Sequence, residues 1–280
     1  MPATHDPRPI GVFDSGLGGL TAVRELFRLL PAESVVYFGD TARLPYGGKS
    51  RETVTRFSLE IAHFLERQNV KCLLVACNTA SSHALEALQR RHEIPVVGVI
   101  DPAVEAAIEA SPHGRIGVIG TLGTVGSGAY PAAIAKVAPG AAVISRACPL
   151  FVPLIEEGWA DHAVTRAVAE EYLLELRAGN LESLILGCTH YPLIAPLLTG
   201  LMGPGVKLVD SGAEAARAVG TLLASRGQLG AGPPSHQFFL SDEPRNFTRI
   251  AEGFLNRELP PVHIVDQTDL PWFERVPSQP

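Results

Sequence analysis

Two of the four cysteines lie in matched sequence settings. Cys77 follows an aliphatic run at residues 72–75, and Cys188 follows an aliphatic run at residues 184–186. A small polar residue and then a stretch compatible with a helix come after each of them. The pattern predicts a thiol at the carboxyl end of a strand, twice. Two thiols that face each other across a cleft suit a reaction in which a proton leaves one side of a carbon atom and another arrives on the opposite side.

The setting of these cysteines favours chemistry over packing. A thiol at a strand end that faces a helix N-terminus is expected to have a lowered pKa, which makes its thiolate accessible near neutral pH. Cysteine is also a common buried apolar residue, and that interpretation fits Cys72 within its strand and Cys148 before a proline. His190 lies two residues beyond Cys188. It can exchange protons with that thiol, or it can be a hydrogen-bonded core histidine.

The elements that must position these residues follow an alternating pattern. Short β-rich runs alternate with amphipathic stretches, which is typical of parallel α/β units. Strands are predicted at residues 10–13, 34–38, 71–76, 96–100, 115–119, 142–145, 183–187, 206–209, 236–240 and 262–265. Helices are predicted at residues 21–30, 52–68, 80–91, within 124–136, and at 163–177, 193–202, 213–225 and 246–255.

The order of the elements predicts two lobes. One run of units ends near residue 100 and a second near residue 209. We therefore expect an α/β fold of two similar parallel-sheet lobes with the active site in the cleft between them. The first lobe would comprise residues 1–100 and 210–280, and the second residues 101–209. The tail after Asp269 contains three prolines and is expected to be loosely packed.

Composition excludes several classes of function. The 280 residues are 46% hydrophobic, enough for a sizeable core, and the net charge of −6 without a basic cluster disfavours nucleic-acid binding. No apolar run reaches the roughly 20 residues of a membrane span, and the N-terminus does not resemble a secretory signal. Four cysteines without a C-x-x-C pair predict neither a disulfide framework nor a zinc site. A reducing cytoplasm is the expected compartment.

Small polar residues follow many of the predicted strands. Ligands of open parallel sheets bind beyond the carboxyl ends of the strands. The residues there are Asp14, Ser15, Asp40, Thr41, Cys77, Asn78, Thr79, Thr121, Cys188, Thr189, His190, Asp210 and Ser211. Hydroxyl groups and helix N-termini bind carboxylates well, so the set predicts a small anionic substrate. Asp14 can alternatively cap the following helix.

The glycine-rich segment after the first strand does not predict a dinucleotide site. Residues 16–21 fail the G-x-G-x-x-G pattern because the last position is Thr21. The glycines are instead expected to let the backbone approach a small ligand or to let the helix pack closely on a strand.

Several segments in order along the chain resemble the glutamate racemases, which interconvert L- and D-glutamate without a cofactor. The matching segments are residues 10–19, 37–41, 45–47, 76–81, 117–121, 124–125, 148–156, 187–192, 209–212 and 238–255. The combination is highly specific although each segment alone is not.

The resemblance implies a mechanism with two thiols. Cys77 would take the α-proton of D-glutamate and Cys188 that of L-glutamate, with Asp14 assisting Cys77, His190 assisting Cys188, and Glu156 as a further acidic helper. The implied substrate-binding residues are Asp14, Ser15, Pro45, Tyr46, Gly47, Asn78, Thr79, Thr121, Thr124, Thr189 and His190. The resemblance further implies a cytoplasmic homodimer without metal or cofactor. It would supply D-glutamate for peptidoglycan, and hence for cell-wall biogenesis and cell shape.

Three alternatives remain open at this point. A racemase of the same superfamily that acts on aspartate or hydantoins also uses paired cysteines, although the segments 45–47 and 78–79 favour glutamate. A thiol redox enzyme would form a disulfide between Cys77 and Cys188 during its cycle. A protein that binds an amino acid without catalysis would need neither thiol.

Overall fold

Ten strands form two separate parallel sheets in the computed structural model, which describes residues 5–243, 247–268 and 271–274. The strands of these described residues are β1 Ile10–Asp14, β2 Val35–Gly39, β3 Cys72–Val75, β4 Val96–Gly98, β5 Arg115–Gly120, β6 Ala142–Ala147, β7 Ser183–Gly187, β8 Lys207–Asp210, β9 His236–Leu240 and β10 Val262–Ile264. All the ladders are parallel. The predicted two-lobed α/β fold is confirmed.

The two sheets share one topology. The first has the order β10-β9-β2-β1-β3-β4, and the second has the order β6-β5-β7-β8. Without β9 and β10, each sheet places its first strand between its second and third. The first and third strands of each sheet are therefore neighbours at the point where the strand order reverses, which is where open parallel sheets bind ligands. Cys77 follows β3, the third strand of one sheet, and Cys188 follows β7, the third strand of the other.

Helices cover both faces of these sheets. The α-helices are α1 Leu20–Leu29, α2 Arg51–Glu66, α3 Asn78–Arg91, α4 Ile100–Glu109, α5 Leu122–Gly126, α6 Ala129–Val137, α7 Phe151–Glu156, α8 Ala163–Tyr172, α9 Leu174–Ala178, α10 Ala195–Met202, α11 Ser211–Ser225 and α12 Phe247–Leu255. Strands β1, β2, β3 and β7 are buried along their whole length, which explains their continuous apolar sequences. Within the described residues, no helix has both the length and the apolar character that a membrane crossing requires.

Several helix predictions needed correction. The helix expected within residues 124–136 is divided into α5 and α6, since Gly128 adopts φ +67° at the junction. The helix expected at residues 163–177 is divided at Leu173. The short helices α4 and α7 were not predicted. Helix α3 begins at Asn78, two residues before the predicted start, and Cys77 is its N-cap.

The described part of the C-terminal tail is better packed than expected. Trp272 lies in a 3₁₀ turn at Trp272–Glu274 and is 1% exposed. Its ring stacks on Phe38 at a centroid distance of 5.5 Å. The large aromatic surface that Trp272 buries holds this segment on the first sheet despite the neighbouring prolines. The predicted start of α12 at Asn246 and the prediction for residues 275–280 lie outside the described residues.

A buried ion pair fastens three segments at the amino end of the first sheet. The Lys71 ammonium lies 2.5 Å from a Glu33 carboxylate oxygen, and both side chains are almost fully buried. The same ammonium donates to the carbonyls of Asp6 and Gln228, each at 2.9 Å. Glu33 also accepts a hydrogen bond from the Gly230 amide at 2.6 Å. The pair therefore connects β3 to the N-terminal segment and to the loop before β9.

Replacing Lys71 with methionine is expected to lower the free energy of unfolding by about 3–5 kcal/mol, because Glu33 would keep a buried charge without its partner. The double variant Lys71→Met, Glu33→Gln should recover part of this loss. Denaturant titration measures both values. Arg90→Met removes an exposed helical ion pair with Glu86 and should change stability by less than about 0.5 kcal/mol. Equal effects of the Lys71 and Arg90 substitutions would contradict the assigned role of the buried pair.

Candidate active site

Both matched thiols line one cavity of about 420 Å³. It lies at the carboxyl ends of the strands and receives residues from both lobes. The lining residues are Ser15, Gly16, Leu17, Leu44, Pro45, Tyr46, Gly47, Gly48, Cys77, Asn78, Thr79, Thr121, Leu122, Pro149, Val152, Pro153, Glu156, Cys188, Thr189 and His190. Lysine and arginine are absent from these described lining residues, so an anion in the cavity would depend on hydroxyl groups and backbone N–H groups.

The Cys77 thiol is held by the start of a helix. As the N-cap of α3, its sulfur accepts a hydrogen bond from the Ala80 amide at 3.4 Å. The Ser15 hydroxyl lies at the end of β1, and the sulfur is 3.6 Å from its oxygen. The N-terminal end of a helix favours a negative charge. The local structure is thus one that can hold a thiolate on the first lobe.

The expectation of a lowered pKa for the Cys77 thiol is wrong. Burial, together with the negative charge of Asp14, raises the pKa of Cys77 to about 12 against the opposing hydrogen bonds from Ala80 and Ser15. Sequence reasoning included the helix N-terminus but underestimated desolvation, which disfavours the charged form of a fully buried group. A thiolate at Cys77 therefore needs a compensating positive charge.

The Cys188 thiol has a different neighbour. Nδ1 of His190 lies 3.9 Å from the Cys188 sulfur and 3.4 Å from the Thr189 hydroxyl. The opposite ring nitrogen, Nε2, donates to a Glu156 carboxylate oxygen at 2.9 Å. The arrangement is a chain from carboxylate to imidazole to thiol on the second lobe.

His190 favours its protonated form in this setting. Burial by itself would lower the pKa of His190, but its hydrogen bonds to Cys188 and Glu156 and the negative charge of both groups raise the pKa to about 10. A protonated imidazole beside Cys188 supplies positive charge to the second thiol. Asp14 lies close enough for this charge to act on it, although burial dominates and raises the pKa of Asp14.

Three threonine hydroxyls meet where the two lobes touch. The hydroxyl oxygen of Thr79 on α3 lies 2.9 Å from that of Thr121 and 3.2 Å from that of Thr124. Thr121 caps α5 by accepting a hydrogen bond from the Thr124 amide at 3.1 Å. Since each hydroxyl can donate and accept, the cluster can reorient to meet a carboxylate. Thr79 and Thr121 line the cavity, whereas Thr124 lies behind them.

The structure brings most of the predicted site residues to the cavity. Ser15, Pro45, Tyr46, Gly47, Asn78, Thr79, Thr121, Glu156, Thr189, His190 and both thiols line it. Asp14 is buried beside the cavity without lining it, and its carboxylate accepts a hydrogen bond from the Gly16 amide at 2.9 Å. Gly19 is the N-cap of α1, so the alternative role of Asp14 as that cap is not observed.

The buried carboxylate of Asp40 holds the Tyr46 side chain at the cavity. The tyrosine hydroxyl donates to Asp40 at 2.5 Å, and the same carboxylate accepts hydrogen bonds from Arg43 at 2.8 Å and from Ser241 at 3.0 Å. Asp40 follows β2 and Ser241 follows β9. The carboxylate thus anchors the loop that carries Pro45, Tyr46 and Gly47 to the strand ends of the first sheet.

The sequence did not predict the apolar wall of the cavity. Pro149, Val152 and Pro153 line the cavity at the entrance to α7 and along it, beside Glu156, which was predicted. The four residues are spaced by three, four and seven positions from Pro149, which is the spacing of one helical face. That spacing was the available signal, but a helix of six residues is too short to give a clear periodic pattern.

The lobes approach closely at a glycine. A Cβ atom at Gly18 would lie 2.1 Å from the Thr189 hydroxyl oxygen and 2.5 Å from Nδ1 of His190. The hydroxyl of the nearby Thr21 also donates to the Thr189 carbonyl at 2.9 Å. The close approach at Gly18 is therefore made to the second lobe, which the sequence did not predict.

Two parallel α/β lobes, each with a thiol beside a shared small-molecule cavity, define the class of protein. In the described residues, no group of three or more histidine, cysteine or acidic side chains is arranged to hold a metal ion. The chain belongs to the Asp/Glu/hydantoin racemase family, whose sequence model matches residues 10–219.

Known members of this family are similar along nearly the whole chain. A glutamate racemase of Geobacter metallireducens is 52% identical over 264 residues, which cover 92% of this chain and 96% of that protein. The structure of a glutamate racemase isoform from Bacillus anthracis has a TM-score of 0.90 at 40% identity, covering 94% of this chain and 99% of that one. The Francisella tularensis glutamate racemase in complex with D-glutamate has a TM-score of 0.88 at 41% identity, covering 93% and 98%.

Replacing Glu156 with glutamine is expected to lower the pKa of His190 from about 10, because an accepting carboxylate and its charge are lost. A pKa raised by folding stabilises the protein fully below the unfolded value of about 6.5, and this stabilisation disappears as the pH rises towards the folded value. Wild type should therefore exceed the variant in stability at about pH 6 and lose this advantage near pH 10. NMR titration of the imidazole and denaturant titration at both pH values test this.

The matched control is Glu157→Gln, which removes the neighbouring exposed carboxylate. It should leave the His190 titration unchanged. An unchanged His190 pKa in Glu156→Gln would show that the hydrogen bond to Glu156 does not support the imidazolium.

Proposed function

We propose that this chain is a glutamate racemase that interconverts L- and D-glutamate without a cofactor, by proton transfer between two cysteines. The observation that carries the proposal is the shared cavity: Cys77 and Cys188 reach it from the ends of equivalent strands in the two lobes. Relatives named glutamate racemase, at 52% identity and lower, support glutamate as the substrate. The cavity volume of about 420 Å³ suits a small molecule.

The proposed reaction uses the thiols in turn. With D-glutamate bound, the Cys77 thiolate takes the α-proton, and the electron pair remains on a planar carbanion. The Cys188 thiol then gives its proton to the opposite face, which yields L-glutamate. Cys77 is left protonated and Cys188 as the thiolate, so the enzyme is ready for the reverse reaction. Each cysteine thus acts as a base in one direction and as an acid in the other.

Because the pKa of Cys77 is high, we infer that the substrate itself helps this thiol to lose its proton. The α-ammonium group of an amino acid brings a positive charge to a buried site. An opposite charge within about 4–6 Å lowers a thiol pKa by roughly 1–3 units. We therefore expect the substrate ammonium group to make Cys77 a better base.

The remaining predicted residues would hold the substrate or support the thiols. Ser15, Thr79, Thr121 and Thr189 offer hydroxyl groups to carboxylates, and Pro45, Tyr46, Gly47 and Asn78 complete the walls. His190 and Glu156 would assist Cys188, while Asp14 would act near Cys77. Because the fold holds these groups in place before the substrate arrives, stabilising the developing carbanion would need little more than rotation of the hydroxyl groups.

The proposal also covers the metabolic role of the enzyme, its compartment, the bounds of its lobes and its assembly. It would supply D-glutamate for peptidoglycan, and the reduced thiols that it needs are maintained in the cytoplasm. We infer that residues 1–100 with 210–280, and residues 101–209, form the two lobes, in keeping with the membership of the sheets. A homodimer is also proposed, on the resemblance to the family alone.

Incubation with L-glutamate in D₂O, without added cofactor, tests the reaction. The expected product is D-glutamate that carries deuterium at Cα, because the proton delivered by a thiol comes from solvent. L-aspartate should be turned over far more slowly. Dependence on added pyridoxal phosphate or on an oxidant would contradict the proposal, and faster turnover of aspartate would assign a different substrate.

Cys77→Ser and Cys188→Ser are each expected to reduce racemisation by roughly 10²–10⁴-fold, because a hydroxyl is a much weaker acid than a thiol and general acid–base catalysis contributes that factor. Chiral chromatography of the products measures the rate in both directions. Cys72→Ala is the matched control, since Cys72 is equally buried in β3 but does not line the cavity. A wild-type rate in either serine variant would refute the two-thiol mechanism.

A further inference from the structure

A buried hydrogen-bond network connects the two strands that carry the thiols. Asn78, directly after Cys77, places its amide between the lobes. Its Oδ1 accepts a hydrogen bond from the Tyr130 hydroxyl at 2.6 Å, and its Nδ2 donates to the Ser211 hydroxyl at 3.1 Å. All three side chains are nearly fully buried. Both ends of the amide are therefore engaged by protein groups, although the sequence predicted Asn78 as a substrate contact.

The same two partners reach the backbone just before Cys188. The Ser211 hydroxyl donates to the carbonyl of Leu186 at 2.9 Å. The Tyr130 ring lies against Gly187, where a Cβ atom would be only 3.1 Å from Cε2 of the ring. Two paths thus run from the residue after Cys77 to the residues before Cys188, one through Ser211 and one through Tyr130.

The three residues come from different parts of the fold. Asn78 begins α3 on the first lobe, Tyr130 lies in α6 on the second, and Ser211 begins α11, where the chain returns from β8. A buried hydroxyl or amide that loses its partner is costly, so the network resists any relative movement of these elements. Neither Tyr130 nor Ser211 lines the cavity. Their effect on chemistry would be exerted entirely through other residues.

We propose that Tyr130 and Ser211 are positioning residues that fix the separation and alignment of the Cys77 and Cys188 thiols by bridging Asn78 to the Leu186–Gly187 backbone. The inference rests on the proposed two-thiol racemisation. It gives Asn78 a structural function in addition to its place in the cavity wall. It also separates two requirements of the reaction: substrate contacts, and the geometry between one thiol and the other.

A comparison of two reactions distinguishes these requirements. Racemisation needs both thiols aligned on one carbon atom. Elimination from 3-chloroglutamate needs only one: a thiolate takes the α-proton, the C–H electron pair forms a C=C bond, and chloride leaves with the C–Cl pair. The resulting enamine tautomerises and is hydrolysed to 2-oxoglutarate and ammonium. Misalignment of the second thiol should therefore impair racemisation and spare elimination.

Tyr130→Phe and Ser211→Ala are expected to reduce kcat for racemisation in both directions by on the order of 10–100-fold, as misplacement of reacting groups does. The KM for glutamate and the rate of elimination should each stay within about 2-fold. Because both residues act through Asn78, their effects should be less than additive in the double variant. Phenylalanine retains the packing on Gly187, and a thermal melt of each variant verifies that it is folded.

Ser183→Ala is the matched control. Ser183 is a buried serine at the amino end of β7, the strand that precedes Cys188, and its hydroxyl forms a hydrogen bond with Ser111 rather than with Asn78. The substitution should leave both reactions unchanged. Equal losses of racemisation and elimination in the folded variants, or no loss of either, would overturn the positioning role. A wild-type enzyme that eliminates chloride but does not racemise glutamate would instead overturn the proposed function.

Discussion

The proposed reaction depends on one constraint, which is that two thiols lie on opposite sides of one small cavity. A single α/β unit presents its strand ends in one direction and can supply only one of them. Two sheets of the same strand order, turned towards each other, supply both from equivalent positions, after β3 and after β7. Other features of the site follow from this need. A glycine with no room for a Cβ atom allows the lobes to approach, and buried hydrogen bonds from Thr21 to Thr189 and from Tyr130 to Asn78 connect them.

Equivalent positions do not give the thiols equivalent surroundings. Cys77 is fully buried beside an acidic group, and its pKa rises to about 12. Cys188 instead faces His190, whose own pKa is raised to about 10 by its hydrogen bonds to Cys188 and Glu156 in spite of burial. The second lobe therefore contains a positive charge next to its thiol, whereas the first relies on a helix N-terminus and a serine hydroxyl. A substrate ammonium group that lies between the thiols would reduce this difference in their electrostatic surroundings. Its positive charge has the larger effect at Cys77, where positive charge is lacking.

The sequence was most informative where a pattern is local and repeated. Alternating strands and helices predicted both sheets. The position of Cys77 and Cys188 after aliphatic runs predicted that each thiol lies at the carboxyl end of a strand. Short helices such as α7 were missed, because six residues do not establish a period. The pKa of Cys77 was predicted in the wrong direction, since desolvation depends on neighbours from the whole fold. Tyr130 gave no signal, and Ser211 was predicted only as one of the polar residues at strand ends, because the role proposed for both arises from contacts with Asn78, more than 50 positions away. The roles of the individual site residues stay predictions.

The composition of the cavity wall fits a reaction between mirror images. Enantiomers have equal free energy in water, so kcat/KM must be equal in the two directions and the site of a racemase must accept both hands. Hydroxyl groups can each donate or accept and can rotate, and the cluster of Thr79, Thr121 and Thr124 already exchanges such bonds among its members. A wall of hydroxyls and backbone N–H groups can therefore serve either hand of the proposed substrate.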